Sequence, residues 1–281
     1  MKADTSDAHL LRSNSTTVLF LCSIVAVFMA ALSGLGLAFP EWFYPSPEIA
    51  ELFLTNDLVN VIIGSLFFLI SLLLFYKDKL IGTLLLPGTL IYVIYNYFAY
   101  LLGKPFSWSS VGNLLLFFLS IFVLFHTLRS IDHHKVKSIL ENGVAERFSG
   151  WVLILFGVAF IALALSEIIP GILDGSIPPL GVKAVSMADI LVSIGWVLGG
   201  VLLVQHRALG YSLGLGLLLA ASSLFVGLIL YFFLAPLITG RIFDWFEVLT
   251  VSVMGMICFV PSALFVRGVV NSKGKFVVDQ G

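Results

Sequence analysis

Three residues in an apolar part of the chain have a spacing that places them on one face of a helix. Asp57, Asn60 and Gly64 follow one another at intervals of three and four residues, so they share one side of a helical segment. A carboxylate within a membrane-spanning helix costs several kcal/mol unless it is paired or hydrated. Such a residue is therefore first considered as part of a binding site or a proton pathway.

A second polar stripe has helical spacing farther along the chain. Gly88, Tyr92, Asn96 and Tyr100 recur at intervals of four, and Pro87 just before them is expected to kink or loosen the helix. An asparagine amide facing lipid would have no hydrogen-bond partner. We therefore expect this stripe to face other helices and to offer hydrogen bonds to a polar ligand.

The elements that carry these residues follow from the composition. The 281 residues are 59% hydrophobic and 11% charged, with a mean hydropathy of +1.08, which excludes a water-soluble globular protein. The net charge of −1 excludes a basic surface for nucleic acid. The two cysteines, Cys22 and Cys258, both lie in apolar segments, which excludes a disulfide framework.

Eight apolar segments of 18 to 25 residues are long enough to cross a bilayer as helices. Their apolar runs do not alternate as the strands of a barrel would, so we predict an all-α bundle of eight membrane-spanning helices. The short connections leave no room for a soluble domain, and residues 1–281 form one transmembrane domain. The predicted segments are Thr17–Phe39, Leu58–Tyr76, Leu80–Leu102, Val111–Leu128, Trp151–Ile169, Met187–Gln205, Gly210–Leu234 and Phe246–Val266.

The distribution of basic residues predicts the orientation. Twelve of the 15 lysines and arginines flank one side of the eight segments, and only Lys104, Lys183 and Arg241 lie on the other. The side with the excess is expected to be cytoplasmic. Both termini are thus predicted in the cytoplasm, in the plasma or inner membrane of the cell.

The two halves of the chain share features that indicate a parallel repeat of residues 17–128 and 151–266. In each half a proline, Pro40 or Pro170, follows the first segment, and an aspartate lies at the start of the second. A short basic turn follows the second segment, and an Ile-Gly or Leu-Gly pair, ending at Gly82 or Gly210, lies at the start of the third. Four spans per half would relate the halves by an axis along the membrane normal.

Counting outward from the cytoplasmic helix ends places the intramembrane polar groups in the outer half of the bilayer. We therefore predict a hydrated pocket that opens to the extracytoplasmic side, with no catalytic residue assigned. Its predicted binding residues are Asp57, Asn60, Tyr92, Asn96, Tyr100, Asn113, Glu167 and Asp189.

Structural roles are alternatives for several of these residues. Asp57 and Asp189 lie at predicted helix N-termini, where a carboxylate caps free N–H groups. Glu167 lies near a predicted C-terminus, where a negative charge is disfavoured, so it needs a partner or a proton. Trp42, Phe43, Tyr44, Trp108 and Trp245 are expected in an interfacial aromatic belt.

Other features of the sequence point to lipid and to neighbouring helices. The basic segment 129–148 is typical of an interfacial helix that contacts lipid headgroups. Small residues such as Gly34, Gly195 and Gly210 allow close helix packing and a homo-oligomer. No metal-binding, phosphate-binding or nucleophile motif is present, so no metal or cofactor is expected.

Parts of the sequence also resemble a known family. The run Thr55-Asn56-Asp57-Leu58-Val59, the stripe Tyr95-Asn96-Tyr97-x-x-Tyr100 and Asp189 resemble a family of uncharacterised prokaryotic multi-pass membrane proteins. The resemblance spans most of the chain and implies the same membrane fold. It implies no activity, since none is assigned to that family.

Three functions remain open at this point. A carboxyl group in a partly dehydrated site holds a proton more readily than one in water, and its proton could be coupled to the movement of a solute. A binding or transport protein for a small solute or lipid is therefore favoured over an enzyme. The first alternative is an enzyme acting on lipid or a lipid-linked substrate at the outer leaflet, with Glu167 and Asp189 as acid and base. The second is an assembly or regulatory subunit.

Overall fold

The fold consists of helices connected by short turns. The computed structural model describes residues 15–176 and 179–278, with side chains described up to residue 272. No strand occurs in these residues. The helices are α1 (Ser15–Ala38), α2 (Pro40–Phe43), α3 (Pro47–Val59), a π-helical turn (Asn60–Gly64), α4 (Ser65–Tyr76), α5 (Leu80–Leu102), α6 (Trp108–Ser130), α7 (His133–Leu140), α8 (Glu146–Leu173), α9 (Leu180–Val204), α10 (Ala208–Thr239) and α11 (Trp245–Val278).

Eight of the described helices are long and apolar enough to span a membrane, with α3, the π-helical turn and α4 forming one continuous span, Pro47–Tyr76. The all-α bundle of eight spans is therefore confirmed. Large apolar side chains such as Phe20, Phe118 and Leu198 are exposed on the outside of the bundle. Such an apolar exterior suits a lipid environment.

Helix α5 is the central element of the bundle. In its most apolar stretch 78% of the residues are buried, against 39% or less in every other described span. It packs against α4, α6, α9 and α10. The polar stripe on α5 therefore lies inside the protein and not against lipid.

Helices α5 and α10 cross with their backbones in contact. A Cβ atom on Gly216 would lie 2.9 Å from the backbone nitrogen of Gly88, and one on Gly88 would overlap the carbonyl of Gly216. Only glycine at both positions allows this approach, as in other membrane helix pairs. Pro87 is part of α5, whose helical structure continues through it.

The turns before α5 and before α10 have the same geometry. Asp78 has φ 52° and His206 has φ 54°, a left-handed conformation that is uncommon outside glycine. In both turns the glycine that follows, Gly82 or Gly210, donates its N–H to the carbonyl oxygen three residues earlier at 2.9 Å. The turns that the sequence matched between the two halves are thus built alike.

Several predicted helix ends are wrong. The second span begins at Pro47 and not at Leu58, the sixth begins at Leu180 and not at Met187, and the fifth continues through Pro170 to Leu173. A hydropathy window detects only the apolar part of a helix, whereas Ser46 as N-cap and Pro47 at the first turn start a helix regardless of the polarity that follows.

Tryptophans Trp42, Trp108 and Trp245 are exposed at one end of the bundle, as expected of an aromatic belt. Tyr44 was expected to share this position, but its side chain is only 3% exposed. It turns inward between α1 and α3, where it contacts Asp57. This correction brings Tyr44 into the polar site.

Candidate functional site

Asp57 is the centre of a buried polar cluster at the end of the bundle that carries the exposed tryptophans. Helix α3 begins ten residues before it, so the capping role considered for Asp57 is excluded. Its side chain is 2% exposed. The hydroxyl of Tyr44 donates a hydrogen bond to Oδ2, and the hydroxyl of Tyr100 donates to Oδ1 at 2.7 Å.

Helix α1 makes room for this carboxylate with a glycine. A Cβ atom on Gly36 would overlap the Asp57 carboxylate and would lie 2.9 Å from the Tyr44 hydroxyl. At Gly34, on a different face of the same helix, an added Cβ meets nothing within 4 Å. Gly36 is therefore required by the cluster, whereas Gly34 is not.

Asn60 extends the cluster to the next turn of the helix and is fully buried. Its Oδ1 accepts a hydrogen bond of 2.8 Å from the Tyr92 hydroxyl. Its Nδ2 lies 3.4 Å from the Ser33 hydroxyl and 3.4 Å from the Tyr100 hydroxyl. Tyr100 therefore contacts both Asp57 and Asn60 and joins the two parts of the cluster.

A π-helical turn begins at Asn60 and ends at Gly64. Such a turn holds one more residue than an α-helical turn and is frequent at functional sites. The turn ends at Gly64, where an added Cβ would lie 2.9 Å from the ring of Tyr92. The small residue lets the Tyr92 ring pass along the helix and its hydroxyl reach Asn60.

Asn96 lies beside the cluster on α5 and is 4% exposed. Its Nδ2 donates to the backbone oxygen of Tyr92 at 2.9 Å, and its Oδ1 accepts from Nδ2 of Asn56 at 3.3 Å. The predicted grouping of Asp57, Asn60, Tyr92, Asn96 and Tyr100 is thus seen in the structure.

A row of stacked rings covers the cluster. Phe53 lies between Tyr44 and Tyr100, with ring centroids 6.0 Å and 4.6 Å away, and the Tyr97 ring follows 5.4 Å from that of Tyr100. The hydroxyl of Tyr97 lies 3.2 Å from the Ser33 hydroxyl. Because all these side chains are buried, the site is closed to solvent in this conformation.

Lys104 supplies a cation close to the carboxylate. It is 5% exposed, its Nζ donates to the Ser109 hydroxyl, and it lies 5.2 Å from the centre of the Tyr44 ring. Burial lowers the pKa of Lys104 to about 8, and the charge of Asp57 opposes that shift. Burial and the same carboxylate raise the pKa of Tyr44, so its hydroxyl remains a donor.

Asp189 lies on α9 and contacts a side chain of α5, Tyr95, that is not part of the Asp57 cluster. Helix α9 begins nine residues before it, which excludes the capping role here too. Its Oδ1 accepts a hydrogen bond of 2.9 Å from Tyr95. The hydrogen bonds of Asp189 do not reach Asp57, so the predicted pocket divides into two polar groups carried by α5.

Two other predicted residues lie outside both groups. Glu167 is exposed on α8, and among the described residues no hydrogen bond joins it to Asp189. The hydrogen bond of Asp189 thus goes to Tyr95 on α5 and not to Glu167. Asn113 is buried on α6, but its Nδ2 has no hydrogen-bond partner among the described residues.

The sequence also missed members of the cluster. Ser33, Tyr44, Phe53 and Lys104 were not predicted, because each is an ordinary residue for a helix end or an interface. Tyr97 belongs to the stripe Tyr95-Asn96-Tyr97-x-x-Tyr100, whose spacing does not place it with Tyr92, Asn96 and Tyr100. An inward position for these side chains depends on how helices rotate against one another, which a single sequence does not reveal.

The fold and the cluster together define a multi-pass α-helical membrane protein with a buried polar site beside its central helix. No family model, no curated protein and no solved structure matches the chain. The geometry of the site therefore carries the functional argument alone.

Proposed function

We propose that this protein binds a small polar solute at the Asp57 cluster and moves it across the membrane, with a proton carried by Asp57. The observation that carries the proposal is a carboxylate buried within a membrane span, with both oxygens accepting hydrogen bonds from tyrosines. Ionisable residues in such positions are rare and mark solute and proton pathways.

A purely structural role would not need the carboxylate. Burying a charge is costly even when it is paired, and apolar or amide side chains pack helices with less desolvation. Here the hydroxyls of Tyr44 and Tyr100 and the ammonium of Lys104 surround Asp57. These groups could exchange their hydrogen bonds for those of a solute without leaving the acid unpaired.

The position of the cluster favours access from one side. Gly36 lies two residues before the end of α1, and Tyr100 lies two residues before the end of α5. At 1.5 Å per residue, about 3 Å of helix separates each from its terminus. Movement of Tyr44 and Phe53, which cover the carboxylate, would therefore open the site to the side that the distribution of lysine and arginine predicts to be extracytoplasmic.

The arrangement of the two halves supports transport over simple binding. The matching turns at Asp78 and His206 and the glycine contact between α5 and α10 fit two repeats related by an axis along the membrane normal. Transporters built in this way alternate access by rocking one half against the other. We place the protein in the plasma or inner membrane, with its termini in the cytoplasm.

The test asks whether the cluster opens to water. Ser33, at 1% exposure, contacts Asn60 and Tyr97 and can be replaced by cysteine in a Cys22→Ala/Cys258→Ala background. A transport cycle that opens the cluster should let a membrane-impermeant, charged thiol reagent modify Ser33→Cys from outside. Asp57→Asn should change the pH dependence of that rate.

The matched control is Ser193→Cys, because Ser193 on α9 is also fully buried but lies outside the cluster. We expect Ser33→Cys to react at least about tenfold faster than this control. If Ser33→Cys reacts faster, small amines, amino acids and sugars can be screened for protection of this cysteine, which would identify the class of solute. Equal, slow reaction of both cysteines would mean that the cluster stays closed and would overturn the proposal.

A further inference from the structure

A second polar region lies at the opposite end of the bundle from the Asp57 cluster. A groove of about 630 Å³ opens between α7 and the turn that joins α9 to α10. It is lined by His134, Lys137, Gln205, His206, Arg207 and Ala208. Four of these six residues carry a basic side chain, and none carries an acid.

The permanent charges that line the groove, those of Lys137 and Arg207, are both positive, and the nearby acids Glu141 and Glu146 lie outside the lining. Lys137 pairs with Glu141 at 3.3 Å, but both side chains remain partly exposed, so solvent weakens that pairing. His206 lies 2.9 Å from the Tyr211 hydroxyl and 3.9 Å from Glu146. The exposed side chain of Arg207 adds a cation that keeps its charge at any physiological pH.

A helix N-terminus adds to this field. Helix α10, of 32 residues, begins at Ala208 in the groove, and its N-cap residue Arg207 makes no side-chain hydrogen bond to the first turn. Free N–H groups and the helix dipole at such a terminus favour an anion. The basic side chains and the helix N-terminus therefore both favour an anion in the groove.

Helix α7 fixes the depth of the groove relative to a membrane. Its residues Val136 and Leu140 are buried, and the helix packs against α10 and α11. Its basic residues His134, Lys135 and Lys137 are exposed or partly exposed. A short amphipathic helix of this kind lies at the level of the lipid headgroups.

We propose that this groove binds the phosphate of an anionic phospholipid headgroup. Basic pockets between helices on the cytoplasmic side are suited to such headgroups. The phosphate would be held by Lys137, Arg207 and the N-terminus of α10. A phospholipid is favoured over free phosphate because α7 places the groove where headgroups lie. This proposal does not depend on a solute at Asp57.

The test titrates the full-length protein in detergent with phosphatidylglycerol and, separately, with phosphatidylcholine of the same acyl chains, while the unfolding temperature Tm is followed. Phosphatidylglycerol should raise Tm in a saturable manner, and phosphatidylcholine should not. In Lys137→Gln/Arg207→Gln the concentration for half the effect should rise about tenfold or more, because two charge-assisted contacts are lost.

Lys183→Gln is the control, since it removes an exposed lysine at the opposite end and should respond like the wild type. If the double variant does not fold, Arg207→Gln alone should weaken the response severalfold. The proposal is overturned if both lipids raise Tm equally or if the variants keep the wild-type response. It is also overturned if inorganic phosphate, at the same concentration, reproduces the shift.

Discussion

At the scale of single residues, the cluster depends on close contacts around one acid. The Asp57 carboxylate accepts hydrogen bonds from two tyrosine hydroxyls. The turn of α1 that lies against it has a glycine, Gly36, at the point of contact. Lys104 lies near enough for its charge to act on Asp57 but contacts the ring of Tyr44 instead of the carboxylate. Tyr44 is thus placed between the acid and the cation, where its movement would change both.

Gly36→Ala tests this packing. The added methyl group would overlap the Asp57 carboxylate and crowd the Tyr44 hydroxyl. We therefore expect the free energy of unfolding to fall by about 1–3 kcal/mol, with a lower Tm in detergent. Gly34→Ala is the matched control, because its methyl group meets nothing within 4 Å and alanine favours a helix by up to about 1 kcal/mol over glycine. A similar drop in Tm for both variants would contradict this account.

At the scale of helices, two local departures from regular structure shape the site. The π-helical turn at Asn60–Gly64 changes the rotation of α4 relative to α3. Asp57 and Asn60, at or before the start of this turn, both face α5. The glycine contact between α5 and α10 holds the central helix against the second half of the chain. The polar stripe of α5 is therefore held by contacts with α3 and the π-helical turn on one side and with α10 on the other.

Gly216→Ala tests the helix crossing. The new Cβ would lie 2.9 Å from the nitrogen of Gly88 and 3.0 Å from the oxygen of Leu84. Backbone atoms cannot rotate away as a side chain can, so α5 and α10 must separate. We expect a loss of stability of about 1–3 kcal/mol, measured as a lower Tm.

Gly195→Ala serves as the control for this crossing, since its methyl group meets nothing within 4 Å. It should leave Tm unchanged or raise it slightly. If Gly216→Ala is as stable as Gly195→Ala, the helices are not held by backbone contact at this point.

At the scale of the whole molecule, the two ends of the bundle differ in chemistry. One end carries the exposed tryptophans and the closed Asp57 cluster, and the other carries the basic groove beside α7. The excess of lysine and arginine lies at the second end. Positive charge of this kind is retained on the cytoplasmic side of a membrane.

Cysteine labelling in intact cells tests this orientation. In a Cys22→Ala/Cys258→Ala background, Lys183→Cys and Lys77→Cys each place one thiol at an exposed position, at opposite ends of the bundle. A membrane-impermeant maleimide should label Lys183→Cys in intact cells, and Lys77→Cys only after permeabilisation. The reverse pattern would invert the orientation and place the Asp57 cluster at the cytoplasmic end.

Much of the fold could be predicted because membrane insertion depends on local hydropathy. Most of a span must be apolar, and its backbone must satisfy its own hydrogen bonds, so eight segments are visible in the sequence. The bounds of α5, Leu80–Leu102, agree with the structure. The start of α3 could not be found in the same way. Its first eleven residues, from Pro47 to Asp57, include several that are polar or charged.

The sequence by itself determined the number of membrane-spanning helices and the polar residues that must avoid lipid. Only the tertiary structure decided which of them meet: Asp57 with Tyr44 and Tyr100, Asp189 with Tyr95, and Glu167 outside both groups. The physical reason is that the rotation of each helix about its axis is fixed by packing against its neighbours. Polarity alone says that a residue needs a partner, and only packing says which partner it finds.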